Sequence, residues 1–288
     1  MRQLIWAGVF TSIIIPLGCF RRSNQISNQN QTVVVASQSP SPTPTPSPTK
    51  PLQAEQIDKT WTSKYSFQAE SISRKHEGLR NYDISVDCPL IMNARTPRTR
   101  RFNRWMLRKI RGYVAQFESL ERAAEIHDKR KRLKKVEIDE SLEILYQVYY
   151  SDERLISLRL SHIVMALGQM HPIDYYETIN YDLKKGHDLR AAEVFRRGYL
   201  KAFSAYSKEE LKNKYDLSAE WANEWLKRGM RPYEDNFKNW NLVPDGILIS
   251  FEDYQIGPHA FGQAEMIIPF QQLKRVIRSD SVCASFIR

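Results

Sequence analysis

Near the C-terminus, Gly257-Pro258-His259-Ala260-Phe261-Gly262 places an imidazole and an aromatic ring between two glycines. Rigid loop aromatics anchor protein interfaces, and Glu252 and Asp253 just upstream would complement a basic partner. On that reading Pro258, His259, Phe261, Glu252 and Asp253 form a partner-binding loop. The same string also suits a plain strand-to-strand turn in which the glycines take positive φ.

Catalytic and metal chemistry find less support. His162 shares a strand face with Leu158, Leu160 and Val164, the setting of a core histidine. His171 precedes Pro172 in a loop and His187 follows a strand, and such irregular spacing proposes no metal site. Asn180 and Asp182 share a polar strand face, where short polar side chains commonly bond neighbouring backbone. There is no GxSxG elbow and no HExxH helix, and nothing singles out two carboxylates for glycosidic acid–base work. The expectation is a non-enzyme that needs no cofactor and no metal; an accessory cell-wall enzyme with an unrecognised active site is the alternative.

Two basic clusters stand out: Arg95, Arg98, Arg100, Arg101, Arg104, Arg108, Lys109 and Arg111, then Lys129 to Lys135. In a cytosolic chain they would suggest phosphate contacts. The first twenty residues point elsewhere. Arg2 and the apolar stretch Leu4 to Ile15 read as an export signal, which leaves nucleic acid out of consideration. Anionic lipid or envelope polymer remain as partners for the cations, beside the ordinary explanation of a solvated helix face. Gly18-Cys19 after Pro16-Leu17 resembles a bacterial lipobox, so Cys19 is the candidate lipidation site, with a simply cleaved signal or an uncleaved anchor as alternatives. Lipidation of Cys19 would leave Cys88 and Cys283 as the remaining thiols, and an oxidising compartment permits their pairing.

The elements that must position these residues begin after a spacer. Six of the 14 prolines fall at Pro40, Pro42, Pro44, Pro46, Pro48 and Pro51, alternating with Ser or Thr. This tract favours an extended polyproline-like tether of about 3.1 Å per residue. The boundaries expected are therefore a signal at 1–18, a lipidated N-terminus and linker at 19–59 and one globular unit at 60–288. That unit holds 38 basic and 31 acidic residues, a formal +7.

Within it, Trp61 to Ser73 and Tyr82 to Met92 read as strands joined around Glu77-Gly78. Arg100 to Glu125 has helical spacing, with Thr99 as its N-cap. Alternation marks strands at Leu142 to Tyr150, Leu155 to Leu167 and Asp174 to Leu183. Ala191 to Met230 reads as helical; Ile247 to Tyr254 and Gln263 to Ile268 read as strands, followed by a short helix from Phe270 to Ile277. With no alternating βαβ units and no glycine-rich phosphate loop, the expected class is α+β, an antiparallel sheet covered by helices.

Several strings occur in an ordered set: His171-Pro172; Asn180-Tyr181-Asp182-Leu183 with Gly186 and Leu189 to Phe195; Val243-Pro244-Asp245-Gly246-Ile247; Tyr254 to Gly262; and Ile267-Ile268-Pro269-Phe270 with Leu273. Their order and spacing resemble the extracellular domain of RsiV-type anti-sigma factors, a module that also precedes the catalytic domain of PdaC-type peptidoglycan deacetylases. The resemblance covers about Ser63 to Ile277. It implies an exported receptor domain that engages lysozyme; joined to the lipobox reading, the expectation is a binding domain for a lysozyme-like protein or a cell-wall component such as peptidoglycan, held to the membrane through the lipid on Cys19. The chain departs from both relatives, since it begins with a signal and shows no deacetylase domain. Neither anti-sigma activity nor amidase chemistry is therefore expected.

Overall fold

The computed structural model describes residue 59 and residues 61–135, 139–166, 169–214, 220–258 and 261–287. The export signal, Cys19, most of the proline-rich linker and His259 lie outside the described residues.

Ten- and eleven-residue strands β1 (Phe67–His76) and β2 (Asn81–Ile91) form an antiparallel hairpin. Helix α1 (Pro97–Arg130) follows, 34 residues long. Its buried stripe of Phe102, Met106, Ile110, Val114 and Phe117 recurs at three- and four-residue spacing and packs on one sheet face. The helix starts one turn before the expected Thr99. Pro97 pre-sets the first helical φ, Thr96 Oγ1 accepts from Thr99 N at 3.1 Å, and Thr96 N donates to Thr99 Oγ1 at 3.1 Å.

Strands β3 (Asp139–Ser151), β4 (Leu155–Met165), β5 (Ile173–Asp182) and the two-residue β6 (His187–Asp188) complete a large sheet in the order β1-β2-β3-β4-β5-β6. It is antiparallel except at one place. β2 pairs with β3 in parallel, so β2-α1-β3 is a crossover unit, which corrects the expected purely antiparallel sheet. The long helix carries the chain back along the sheet, which a tight turn cannot do.

Short α2 (Ala191–Val194) leads into α3 (Tyr199–Lys214) and α4 (Glu220–Gly229), so the segment expected to be helical is three separate helices. A 3-10 turn at Glu234–Phe237 precedes a small antiparallel sheet of β7 (Trp240–Val243), β8 (Gly246–Phe251) and β9 (Ala264–Pro269). Helix α5 (Phe270–Leu273) closes the set. The mixed α+β class holds, with two sheets instead of one.

Period-two alternation assigns the faces. On β4, Leu158, Leu160 and His162 point to α1, while Ser157 and Arg159 point to the small sheet. The far face of the small sheet, with Leu242, Ile247, Ile249 and Phe251, packs under Phe203, Leu211 and Phe270. The layers thus run α1, large sheet, small sheet, C-terminal helices. Cys88 belongs to the core under α1 and Cys283 to the core under α3, and both are free and buried. Burial pushes each thiol up to about 12, so neither is a ready thiolate.

Candidate functional site

The connection from β8 to β9 holds the sequence-selected residues and is pinned from three sides. Glu252 Oε1 accepts from Asn239 Nδ2 at 3.0 Å and from Lys238 Nζ at 3.1 Å. Gln255 Nε2 donates to the carbonyls of Gly229 at 3.2 Å and Asn236 at 2.8 Å. Its own Oε1 accepts from Glu252 N at 3.1 Å, and Tyr176 Oη donates to Gln263 at the other end. The approach to α4 is tight. A Cβ on Gly229 would lie 2.0 Å from the Gln255 carbonyl oxygen, so only glycine fits there.

Phe261 does not stand outward. It is 4% exposed and belongs to the core beneath the C-terminal helices, with its N–H bonded to Pro258 O at 2.8 Å. The expectation of an exposed Phe261 anchor is corrected: its ring gains more from apolar neighbours than the loop could offer in solvent. Pro258 is half-buried. The loop presents a different aromatic, Tyr254, which is 48% exposed at φ 60. Asp253 Oδ1 accepts from the Tyr254 N–H at 3.1 Å, and Glu252 and Asp253 immediately precede the ring in the chain. Glu252 is partly neutralised by Lys238. The geometry is that of a fixed turn displaying one phenol at an acidic edge.

The polar residues between the two sheets are structural. Asn180 Nδ2 donates to Trp240 O at 2.8 Å and its Oδ1 accepts from Leu242 N at 2.7 Å, docking β7 onto β5. Asp182 Oδ1 accepts from Lys184 N at 2.8 Å and Lys185 N at 2.9 Å, closing the turn after β5. Both act on backbone, as their types suggested. Beside them, Arg159 Nη1 is bonded to Glu265 Oε1, which also accepts from Tyr149 Oη at 2.9 Å and Ser250 Oγ at 3.1 Å. The Arg159 guanidinium lies 4.0 Å from the centroid of the Tyr176 ring.

Two further charged clusters flank α1. Glu177, despite the opposing effect of burial, is held below the usual carboxylate range by His162, Lys109 and Tyr113. Lys109 Nζ and Tyr113 Oη each stand 2.5 Å from its oxygens, and His162 Nε2 is 3.6 Å away. His162 is buried as expected and stacked on Tyr175 at 4.6 Å; among the described residues its ring nitrogens make no contact within hydrogen-bond distance, Glu177 at 3.6 Å being just beyond it. At the other end of α1, Arg80 bonds Asp128 at 2.7 Å and Glu140 at 3.0 Å, with Glu121 at 3.6 Å. Burial, and then the neighbouring Glu140 carboxylate, push Glu121 up to about 7. Its side chain is 10% exposed, too enclosed for a substrate to reach. Among the described residues no group of three or more His, Cys, Asp or Glu side chains is placed to hold a metal ion.

Sequence reasoning missed Tyr254 and the Arg159–Glu265 pair. Tyr254 carried the available signal, an aromatic directly after two acidic residues, but the positive φ that turns it outward is not written in residue type.

Comparison with known proteins agrees with this geometry at the level of fold. Residues 192–271 match the model of DUF3298, a protein family of unknown function. The peptidoglycan-N-acetylmuramic acid deacetylase PdaC of Bacillus subtilis is 28% identical over 118 residues, 40% of this chain. That match spans only 25% of the deacetylase. A DUF3298 family member from Bacteroides fragilis superimposes with a TM-score of 0.57 at 17% identity, over 78% of this chain and 98% of its own. A DUF3298 protein from Pseudomonas aeruginosa covers 74% of this chain and 95% of its own, at 17% identity and a TM-score of 0.44.

Proposed function

We propose that this chain is an exported, lipid-anchored and non-catalytic binding module of the cell envelope. It captures a lysozyme-like protein or a peptidoglycan component through the β8–β9 loop, with Tyr254 as the aromatic anchor and Glu252 and Asp253 as its acidic margin. The observation that carries this reading is the loop itself. Its ends are fixed by Glu252, Gln255 and the buried Phe261, so displaying Tyr254 costs little ordering on binding. The relative matched over 118 residues acts, by its name, on peptidoglycan N-acetylmuramic acid, which supports a cell-wall setting. Its shared quarter accords with an accessory domain.

The domain carries a formal +7, so long-range attraction toward a basic lysozyme is weak or repulsive, and affinity must come from local packing. Titrating residues 59–288 with lysozyme and with peptidoglycan fragments tests the reading. Saturable binding to one of them, weakened by Tyr254→Ala, is expected. Release of sugars, peptides or acetate from peptidoglycan would instead establish the accessory-enzyme alternative. For the anchor, Cys19→Ser should yield an unprocessed or soluble product, and unchanged membrane retention would contradict lipidation.

A further inference from the structure

The N-terminal half of α1 carries more positive charge than the fold uses. From Arg95 to Arg111 there are eight basic residues and no acidic one. The first turn of α1 has no carboxylate, although the helix dipole favours one there. Arg100, Arg104 and Arg108 recur every four residues, a like-charge spacing that weakens a helix. Departures from local rules with no compensation inside the fold mark functional surfaces.

The neighbours of each cation separate structural from spare charge. Lys109 is taken up by Glu177 and Arg111 by Glu70 at 3.4 Å. Arg98 lies near Glu153, whose carboxyl is held down chiefly by Lys64 and in smaller part by Arg98. Arg101 Nη2 donates to the carbonyls of Leu183 and Lys184 at 3.2 and 3.3 Å and so ties the helix to the β5–β6 turn. Among the described residues Arg104 and Arg108 meet no carboxylate. With Arg101 they form an exposed face of α1 at three- and four-residue spacing, and exposed Lys184, whose carbonyl Arg101 holds, extends the patch across the turn.

We infer that this patch docks the domain on an anionic phospholipid surface. The choice of a bilayer over other polyanions comes from where the chain joins the domain, and it rests on the lipid-anchored reading above. Lys59, where the described chain begins, bonds Asp245 in the β7–β8 turn, and five residues on Lys64 and Tyr65 line a cleft with Thr96, Pro97, Arg98 and Glu153 at the start of α1. A tether fixed in the membrane therefore meets the domain within a few residues of the start of the basic stripe, and raises the local concentration of headgroups there. Once docked in this way, the domain would present the β8–β9 loop in a set orientation.

The test uses residues 59–288, which carry no tether. The described residues fall in one compact unit, and the same fold covers 98% of the crystallised Bacteroides fragilis chain. The domain is sedimented with phosphatidylcholine vesicles and with vesicles containing about 30 mol % phosphatidylglycerol. Co-sedimentation with the anionic vesicles only, lost at about 0.5 M salt, is expected. Each cation at such a surface contributes roughly fivefold, so Arg104→Gln/Arg108→Gln should bind more than tenfold more weakly at an unchanged melting temperature. Lys131→Gln/Lys134→Gln, at the far end of α1, should bind as the wild type does. Equal binding to both vesicle types, or equal losses for the two double variants, would overturn the proposal. Tighter binding to soluble polyglutamate than to anionic vesicles at physiological salt would also overturn it, in favour of an envelope polymer. Failure here leaves the Tyr254 titration untouched, and failure of that titration leaves the vesicle result standing.

Discussion

Replacing Glu265 by alanine should be among the most damaging single changes at the junction of the two sheets. Glu265 is 1% exposed and bonds Arg159, Tyr149 and Ser250, which come from β3, β4 and β8. Its removal leaves the Arg159 guanidinium, itself 4% exposed, without a countercharge in a low-dielectric layer. Breaking one side of a buried ion pair costs roughly 3–5 kcal/mol. A domain of this size loses about 2–4 °C of melting temperature per kcal/mol, so the midpoint should fall by roughly 6–20 °C. Thermal unfolding of residues 59–288, followed by circular dichroism, reads this directly. The companion variant Arg159→Met/Glu265→Leu removes both charges and should recover at least half of the loss, because the cost lies in the orphaned charge rather than in the missing bond. A fall of less than about 3 °C for Glu265→Ala, or a double variant worse than the single one, would show that no uncompensated charge is left at Arg159.

Three further outcomes can be checked on the same domain. Phe261→Ala should destabilise by about 3–5 kcal/mol in denaturant unfolding, because it empties a packed site rather than trimming a surface. Gly229→Ala should also lower stability, and should weaken ligand capture, since its Cβ would collide with the Gln255 carbonyl that fixes the loop. The raised carboxyl of Glu121 binds its proton more tightly in the folded state. The stability it lends is fully present below about 4.5 and is lost as pH rises through about 7, so Glu121→Gln should flatten the decline of melting temperature between pH 5 and 8. Asp188, pushed up to about 6 chiefly by burial, should leave a smaller residual slope of the same sign.

Much of the fold was legible because periodicity survives in the sequence. The Phe102–Met106–Ile110–Phe117 stripe announces α1, and alternation through Leu142, Ile144, Leu158, Leu160 and Ile179 announces the central strands. Strand direction has no period, so the parallel pairing of β2 with β3 could not be read, and neither could the split into two sheets. The helix start was missed because Thr96 and Thr99 are equally good caps by type, and Pro97 decides between them. Asn180 and Asp182 read as backbone partners, and His162 as a core residue, because short polar groups and apolar neighbours leave few other choices. Residue types locate the loop but do not say which of its aromatics faces solvent. Whether Phe261 or Tyr254 faces solvent depends on one left-handed residue and on contacts with α4 and β5, all remote in sequence. The Arg159–Glu265 pair spans 106 positions, and nothing local links its members.

Capture of an envelope ligand through Tyr254 of the β8–β9 loop is tested by calorimetric titration of residues 59–288, wild type and Tyr254→Ala, with lysozyme and with muropeptides at physiological salt. The wild type should bind one ligand saturably, and the variant should lose about 30-fold, the equivalent of about 2 kcal/mol for a central aromatic anchor, at an unchanged melting temperature. Equal affinity of the two proteins for that ligand, or no binding by the wild type to either, would contradict this mode of capture.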